Sequence, residues 1–330
     1  MRAWVVTGVG APVDVIGATE VELPEPGPGM VRIRVAAAAI GLPDVLMCAG
    51  SYPLTPEGEF TPGQEVVGDV TAVGEGVDAA LLGTRQMGVT AFYMGRGGLA
   101  EEAIAAASTI YPAPPALDDV TAAGFHIAFH TGWIALRDRA AVRPGENLVV
   151  LGAAGGSGSA AILLGKAFGA NVIAVAGGPD KAQFCRDLGA DQVIDHQQSS
   201  VNEAVLVHTY GRGADVIFDP VGGVAGETAA GAMASEGRFL LVGFAEGRWP
   251  ALKPARMVQG NYSAMGVYAG AYDRAHVLEM YDEVAQLTAN GHLGRLPTEV
   301  IGFDDVRDAL TRLADRTVMG KVVVELGRPD

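Results

Sequence analysis

An apolar run that breaks into small residues and resumes as a helical segment is the feature that most constrains this fold. Residues 148–161 read LVVLGAAGGSGSAA and continue into ILLGKAFGANVIAVA. From there, apolar runs of strand length alternate with helical segments. The predicted strands are 147–151, 171–176, 192–195, 214–218 and 237–243, and the predicted helices are 121–139, 156–168, 179–188, 200–210 and 225–234. This alternation predicts an α/β fold with a doubly wound parallel sheet covered on both faces.

The flanking segments follow a different pattern. Residues 1–110 hold short alternating runs such as VRIRV and EVVGDVTAVG, separated by turns such as PEPGPG, which is typical of all-β structure. After about residue 260 we expect a further strand, helices near 273–290 and 304–315, and a final strand at 320–326. A chain of 330 residues is long enough for two domains.

The balance of charge limits the partners of this chain. Its 38 acidic and 23 basic residues give a formal net charge of −15, which repels nucleic acid and anionic membrane surfaces. No apolar run is long enough to span a bilayer. We therefore expect a small-molecule substrate as partner, and neither nucleic acid nor a membrane. Two cysteines form no disulfide framework, which predicts a reducing, cytoplasmic setting.

The turn after the first strand of the predicted sheet matches a dinucleotide fingerprint. Ala153, Gly155 and Gly158 occupy the three glycine positions of G-x-G-x-x-G, and Gly156 and Ser157 lie between them. Small residues there allow a pyrophosphate to approach closely, and the following helix presents its free N–H groups to that anion. The sequence predicts nucleotide binding; a merely structural glycine turn is the alternative.

The end of the second strand indicates which nucleotide is bound. NAD-preferring sites carry an acid there, roughly 20 residues beyond the fingerprint, which holds the ribose 2′-hydroxyl. In this chain the strand ends VIAVAGGPDK, so Ala176 and Gly177 stand at that point and Lys181 follows one helical turn later. Asp180 is interpreted as an acid of the first helical turn. The pattern favours NADP, that is, NADPH as the reduced cofactor.

The run from 144 to 190 resembles the medium-chain dehydrogenase/reductase superfamily, and more narrowly its zinc-free quinone oxidoreductase branch. Further segments fall in family order: PGQEVVGDVTAVGEGV (62–77), FHIAFHTGWIAL (125–136), FDPVGG (218–223), LVGFAEG (241–247) and MGKVVVEL (319–326). The resemblance implies a GroES-like β-barrel catalytic domain formed by 1–120 and 262–330. It implies a Rossmann NADP-binding domain at 121–261.

Zinc-dependent relatives use a cysteine and a Gly-His-Glu motif as metal ligands. Here Gln64 replaces that histidine, and Gly41 or Leu42 occupies the place of the cysteine. His126 and His130 are four residues apart on a predicted helix, without the glutamate of a metalloprotease helix. Because zinc needs three or four N, S or O donors in tetrahedral geometry, we expect no metal.

Without a Lewis acid, the chemistry that fits is hydride transfer to quinones or α,β-unsaturated carbonyls, which are already electrophilic. The segment LPDVLMCAGSYP (42–53) resembles the family stretch whose tyrosine is regarded as the proton donor in enoyl-thioester reductases. By that resemblance Tyr52 is the candidate catalytic residue. Alternatively, Tyr52 packs over the cofactor and solvent supplies the proton. Asp44 is expected to cap the following helix.

The resemblance also marks where this chain departs from its branch. Gly41 stands where most members have an asparagine that lines the nicotinamide pocket, so the substrate pocket is either enlarged or served by another group. His130 stands where relatives often carry glycine, and its neighbour Thr131 matches a residue that touches the nicotinamide. We expect His130 to line the altered pocket; a satisfied helix histidine is the alternative.

Other cofactor contacts are implied residue by residue. The resemblance assigns Gly177 and Lys181 to the 2′-phosphate, and His196, where relatives often have tyrosine, to the adenosine phosphate. It assigns Gly243 and Phe244 to the loop over the nicotinamide. Lys321 matches a basic C-terminal residue that contacts the cofactor. For Lys321, a solvated lysine at a strand end is an equal alternative.

Two other functions stay open at this point. A trans-2-enoyl-thioester (enoyl-CoA) reductase would use the same Tyr52, and a non-catalytic protein would bind NADPH and consume none. The resemblance implies a homodimer, in which the predicted strand within 262–270, at an edge of the Rossmann sheet, pairs across a two-fold axis.

Overall fold

The computed structural model describes residues 1–327, and its chain forms two compact units. One unit contains Met1–Ile127 together with the segment that begins at Pro297; the other is Ala128–Leu296. The sequence placed these boundaries at 120/121 and 261/262. The second boundary differs because the strand Ser263–Gly266 is hydrogen-bonded into the parallel sheet and the segment after it stays with that unit.

The first unit begins with seven strands and short helices, here numbered in chain order. The strands are β1 (Arg2–Val6), β2 (Ile16–Glu20), β3 (Met30–Ile40), β4 (Glu65–Val73), β5 (Arg85–Val89), β6 (Glu102–Ala106) and β7 (Ile110–Pro112). The helices are α1 (Pro12–Val15) and α2 (Leu42–Cys48), and α3 (Asp119–Trp133) begins in this unit and ends in the second. The long strand β3 pairs antiparallel with both β4 and β6, so its alternate side chains, such as Ile33, are buried in the core.

The second unit is a six-stranded parallel sheet. Its strands are β8 (Asn147–Val150), β9 (Asn171–Ala176), β10 (Gln192–Asp195), β11 (Ala214–Asp219), β12 (Met233–Leu241) and β13 (Ser263–Gly266). Its helices are α4 (Gly156–Ala167), α5 (Pro179–Asp187), α6 (Val201–His208), α7 (Gly223–Ala229), α8 (Pro254–Gly260) and α9 (Arg274–Ala289). The spatial order β10-β9-β8-β11-β12-β13 is the doubly wound order, which confirms the predicted α/β class.

The C-terminal segment returns to the first unit. It forms β14 (Thr298–Gly302), α10 (Val306–Ala314) and β15 (Lys321–Glu325). Strand β15 pairs antiparallel with β3, so this C-terminal strand joins the β sheet of the first unit, as the family resemblance implied. The main sheet has the order β14-β15-β3-β4-β5-β7, with β6 paired to β3.

Two predicted element boundaries were wrong. The helix expected at 225–234 ends at Ala229, and β12 begins at Met233, because Met233 already pairs with Ala214 before the register shifts. The helix expected at 121–139 is α-helical only to Trp133 and continues as wider π-helical turns over Ile134–Arg139. Elsewhere in the parallel sheet, the structure confirms the predicted order of strands and helices.

Candidate active site

The glycine-rich turn lies between a parallel strand and the helix that follows it. Strand β8 ends at Val150, Gly155 is the N-cap, and α4 begins at Gly156. A Cβ at Gly158 would overlap the carbonyl oxygen of Gly152, so no larger residue fits there without moving the turn. Gly152 itself has a φ of +56°, a left-handed conformation that glycine adopts without strain. The geometry matches a turn against which an anion can pack at the α4 N-terminus.

This turn opens at the point where the order of the strands reverses. Strand β8 lies between β9 and β11, and the crossovers from β8 and from β11 start in opposite directions along the sheet. In open parallel sheets, ligands bind at the carboxyl ends of the strands at such a switch point. The second unit therefore carries a nucleotide-site geometry within its own residues.

The carboxyl ends of β9 and β10 form one flank of this site. A Cβ at Gly177 would lie 2.8 Å from His196 Nε2 and 3.0 Å from Gln197 Nε2, so both side chains lie over Gly177. The carboxylate of Asp195 accepts hydrogen bonds from the backbone N–H groups of Gly178 and Gln197, each 3.0 Å long. These hydrogen bonds lower the pKa of Asp195 and fix the loop. The sequence analysis did not identify Gln197 as a site residue.

The opposite flank is formed by the segments that follow β11 and β12. Gly243 has no room for a side chain, because its Cβ would lie 2.8 Å from the carbonyl oxygen of Pro220. The ring of Phe244 lies against Trp249, with centroids 5.0 Å apart. The structure thus brings the two predicted residues of the nicotinamide loop together on a fixed segment of the second unit.

Helix α3 carries the histidines that the sequence singled out. His126 is buried and packs against the ring of Tyr111, with centroids 5.3 Å apart. His130, four residues on, is also buried, and burial, with a smaller electrostatic contribution from His276, lowers its pKa to about 4. His130 is thus held as a neutral imidazole near pH 7. Thr131 beside it is half-buried.

In the first unit, Gly41 and Asp44 form the start of α2. Gly41 is the N-cap in an extended conformation, and its N–H donates to Asp44 Oδ2 over 2.9 Å. Asp44 Oδ1 accepts the N–H of Gly63 over 2.8 Å, so the carboxylate joins the helix to the segment before β4. Asp44 was expected to cap the helix that follows it; instead it lies within α2, at the third position, and its carboxylate accepts the N–H of the N-cap residue. Burial raises the pKa of this carboxyl to about 6, although the two amides and Lys321 act in the opposite direction.

Tyr52 lies in the turn after α2. Its ring is half-buried and tilted against Phe92, with centroids 6.2 Å apart, and its backbone carbonyl accepts the hydroxyl of Thr55 over 2.7 Å. Tyr52 also packs on the edge of the hydrophobic core. The ring is therefore positioned by packing on one side, whatever its chemical role.

A buried ion pair closes this part of the first unit. Lys321 Nζ at the start of β15 lies 3.0 Å from Glu65 Oε2, and Glu65 is only 1% exposed. Glu65 Oε1 accepts the backbone N–H of Ile127 over 2.8 Å. Lys321 is thus held by a buried carboxylate. The sequence analysis did not predict this ion pair. The signal that could have indicated it is a charged residue, Lys321, at the first position of an apolar strand.

The positions that hold zinc in relatives carry other chemistry here. Gln64 directs its amide nitrogen to the sulfur of Met47, 3.9 Å away, and Gly41 has no side chain. Within residues 1–327, no three His, Cys, Asp or Glu side chains are grouped as metal ligands would be. None of the helices in that same range combines the length and apolar composition that a bilayer crossing requires.

An antiparallel β unit and a doubly wound unit with a glycine-rich turn at its switch point define the architecture of a two-domain dehydrogenase. Family models match both parts: the alcohol dehydrogenase GroES-like domain over residues 27–115 and the zinc-binding dehydrogenase family over 156–288. A quinone oxidoreductase-like protein 2 homolog from Nematostella vectensis is 33% identical over 303 residues, which cover 90% of this chain and 82% of that protein. The chain therefore belongs to the quinone oxidoreductase branch of the medium-chain dehydrogenase/reductase superfamily and is an oxidoreductase.

Two further matches bear on its chemistry. The structure of mycobacterial Rv1454c complexed with NADPH superposes with a TM-score of 0.89, at 26% identity, over 99% of this chain and 100% of that one. A phenolphthiocerol/phthiocerol polyketide synthase protein from Mycobacterium tuberculosis is 30% identical over 318 residues, which cover 95% of this chain and 14% of that much longer protein.

Proposed function

We propose that this protein is a zinc-free, NADPH-dependent reductase that transfers hydride to quinones or α,β-unsaturated carbonyls. The observation that carries the proposal is the end of β9, where Gly177 stands in the place of an acid and lies under His196 and Gln197. A carboxylate at this point would repel a 2′-phosphate, whereas imidazole and amide N–H groups can donate hydrogen bonds to it. The relative solved with NADPH supports the same cofactor.

The described residues fit this cofactor. Gly158, Gly177 and Gly243 each lack space for an unstrained Cβ, so at three places around the switch point the chain packs closely and adds no side chain of its own. Residues 153–158 would hold the pyrophosphate, Lys181 and His196 the phosphate of the adenosine half, and Phe244 would cover the nicotinamide. When bound, NADPH supplies the hydride, and the protein supplies orientation and exclusion of water.

Tyr52 is the proposed proton donor. Its phenol has a hydroxyl that can hydrogen-bond to a carbonyl oxygen, and its ring is positioned by Phe92 and the first-unit core. Solvent is the alternative donor. Tyr52→Phe keeps the packing and removes the hydroxyl, so a loss of kcat with unchanged NADPH binding would support Tyr52. Unchanged kcat would assign the proton to solvent.

Gly41 and His130 are each proposed as residues that contact the substrate. The neutral imidazole of His130 can donate one hydrogen bond to the carbonyl oxygen of the substrate. His130→Gly restores the residue that relatives often carry at this position. Unchanged turnover of every acceptor in this variant would remove His130 from the pocket.

The deciding experiment is the consumption of NADPH and NADH by the purified protein with a quinone, a simple enone and an enoyl-CoA. It is run with and without a strong chelator. NADPH-selective, chelator-resistant turnover of the quinone or the enone is the expected result. A clear preference for enoyl-CoA would assign the second candidate, an enoyl-thioester reductase, which the 30% identity to a polyketide synthase segment favours. Tight NADPH binding without turnover would define a non-catalytic binding protein.

We also propose that the protein is a homodimer joined along β13. This strand is at the edge of the parallel sheet, and an edge strand offers unpaired backbone groups to a second copy. Val258 and Tyr268, on either side of it in sequence, are 81% and 69% exposed. Light scattering should give twice the chain mass for the native protein, and the Val258→Asp/Tyr268→Asp variant should be monomeric.

The proposed partner is a small-molecule substrate, with neither nucleic acid nor a membrane involved, and the proposed location is the cytoplasm. Cys48 and Cys185 are both buried free thiols, and burial raises the pKa of each, to about 12 and about 11. Neither cysteine pairs in a disulfide, which suits a reducing compartment.

A further inference from the structure

Asp219 is a fully buried carboxyl group at the carboxyl end of β11, beside the strand-order reversal. Its Oδ1 accepts two backbone N–H groups, from Val221 at 2.9 Å and from Gly222 at 2.8 Å. Its Oδ2 has no hydrogen-bond partner among residues 1–327. A buried acid with all of its bonds on one oxygen is costly to the fold, which calls for a role that offsets the cost.

The two amides belong to the segment Pro220–Gly222, here called the β11 loop. This loop is hydrogen-bonded in turn to the segment Val242–Gly247, here called the β12 loop. The N–H of Ala245 donates to the carbonyl of Pro220 over 3.2 Å, and the N–H of Glu246 donates to that of Val221 over 2.8 Å. The backbone carbonyl of Asp219 accepts the N–H groups of Val242 and Gly243.

Asp219 therefore holds both loops from one point. Its side chain fixes the β11 loop, its main chain fixes the start of the β12 loop, and the β12 loop carries Gly243 and Phe244. Helix α7 confines the carboxylate from the other side, because a Cβ at Gly226 would overlap Oδ2. The arrangement leaves the carboxylate one position.

We propose that Asp219 is a positioning residue that holds the β12 loop in the conformation that receives the nicotinamide half of the cofactor. It does so through the β11 loop and without touching the cofactor itself. The inference rests on the proposed function, since it assigns Gly243 and Phe244 to the nicotinamide. Residues at the end of β9 that receive the adenosine half are outside its reach, because no described hydrogen bond joins Asp219 to Gly177 or His196.

The separation of the two halves gives the test. Calorimetry on the full chain measures the Kd of NADPH and, separately, the Kd of adenosine 2′,5′-bisphosphate, which lacks the nicotinamide. Asp219→Ala leaves two loop amides without an acceptor and should weaken NADPH binding by about 10- to 100-fold. The Kd of the bisphosphate should stay within about twofold, because a loop that it does not contact is all that changes.

Three further variants make the result specific. Asp219→Asn keeps the Oδ1 acceptor and should restore NADPH binding to within about threefold of the native Kd. Gly226→Ala pushes on Oδ2 from α7 and should weaken NADPH selectively, like Asp219→Ala; it carries the test if Asp219→Ala does not fold. Gly231→Ala is the control, since its Cβ would make only ordinary contacts with Asn202 and Arg256.

The outcomes separate this inference from the proposed function. Selective loss of NADPH affinity, restored by Asp219→Asn, supports the positioning role. Unchanged NADPH affinity in Asp219→Ala and Gly226→Ala, or equal loss of both ligands, would overturn it while leaving the cofactor assignment intact. Native protein that binds neither ligand would overturn the proposed function, and the positioning role with it.

Discussion

Asp44 in the first unit and Asp219 in the second are the same chemical group in two different settings. Both are buried, both accept two backbone N–H groups, and burial raises the pKa of both to about 6. Asp44 spreads its bonds over both oxygens and has Lys321 as a stabilising charge. Asp219 places both bonds on Oδ1, and the nearby Glu246 disfavours its ionised form.

The difference shows two ways of using a buried acid. In the first unit the acid lies in a cluster of two carboxyl groups and one ammonium group, in which Glu65 and Lys321 pair directly. In the second unit the acid holds loops through two backbone amides. A site that must accept phosphates can therefore be built from glycine and backbone N–H groups, while structural charge is kept elsewhere.

Removing the ammonium group of Lys321 should have the largest effect on the stability of the protein. Lys321→Met leaves Glu65 buried without its partner, which we expect to cost about 3–5 kcal/mol in free energy of unfolding. Denaturant titration at pH 7 measures it. The double variant Lys321→Met/Glu65→Gln should recover more than half of the loss. A loss below about 1 kcal/mol in the single variant would mean that Lys321 contributes little to stabilising the buried carboxylate of Glu65.

Substituting the two aspartates compares the settings directly. The folded Asp219 carboxyl binds its proton more tightly than an unfolded one, whose pKa is about 4. Its protonation therefore favours the folded state at low pH, and this advantage is lost as the pH rises from about 4 through about 6. Asp219→Asn should consequently be more stable than the native protein by about 2–3 kcal/mol at pH 8 and equal to it near pH 4.

Asp44→Asn is the matched variant in the first unit. It exchanges an acceptor for a donor, so either Gly41 or Gly63 loses the partner of its N–H. By the same linkage argument this variant gains about 2–3 kcal/mol at pH 8, but the amide left without an acceptor costs about 1–3 kcal/mol, so we expect Asp44→Asn to be less stable than Asp219→Asn at pH 8 by that cost. Thermal denaturation of both variants between pH 4 and pH 8 decides the comparison. Equal changes of the same sign would show that the two acids behave alike.

A carboxylate placed at the end of β9 tests whether the absence of an acid there sets the preference for NADPH. Gly177→Asp restores the acid of NAD-preferring sites, next to His196 and Gln197. We expect kcat/KM for NADPH to fall by about 10- to 30-fold, roughly 1.4–2 kcal/mol, with a gain for NADH. Gly177→Ala is the control for the added Cβ. If both variants lose NADPH equally, crowding rather than charge sets the preference.

The smallest effect is expected for a neutral side chain in the first unit. Gly41 is extended, with φ of −154°, and its Cβ would lie 3.4 Å from Pro43 Cδ, an ordinary contact. Gly41→Asn should change the free energy of unfolding by less than about 0.5 kcal/mol, because asparagine is a good N-cap. Steady-state kinetics should show a change in KM of the acceptor and none in KM of NADPH. Unchanged KM for every acceptor would place Gly41 outside the substrate pocket.

The features that the sequence determined by itself are local ones. Small residues between an apolar strand and a helix predicted the turn at Gly155 and Gly158. The run that ends at Gly177 predicted that no acid stands at the end of β9. Both signals lie within a few neighbouring residues, so the sequence alone was enough. The helix after β11 was misplaced, since the early pairing of Met233 with Ala214 depends on a neighbouring strand and leaves no local pattern.

Only the tertiary structure decided which distant residues meet. Glu65 and Lys321 are 256 positions apart, and their pairing follows from the return of β15 to the sheet of the first unit. Asp219 follows the predicted strand 214–218, and its hold on two loops depends on the packing of α7 and the β12 loop around it. Local propensity is written in adjacent residues, whereas the environment of a buried charge is set by whatever the fold packs against it.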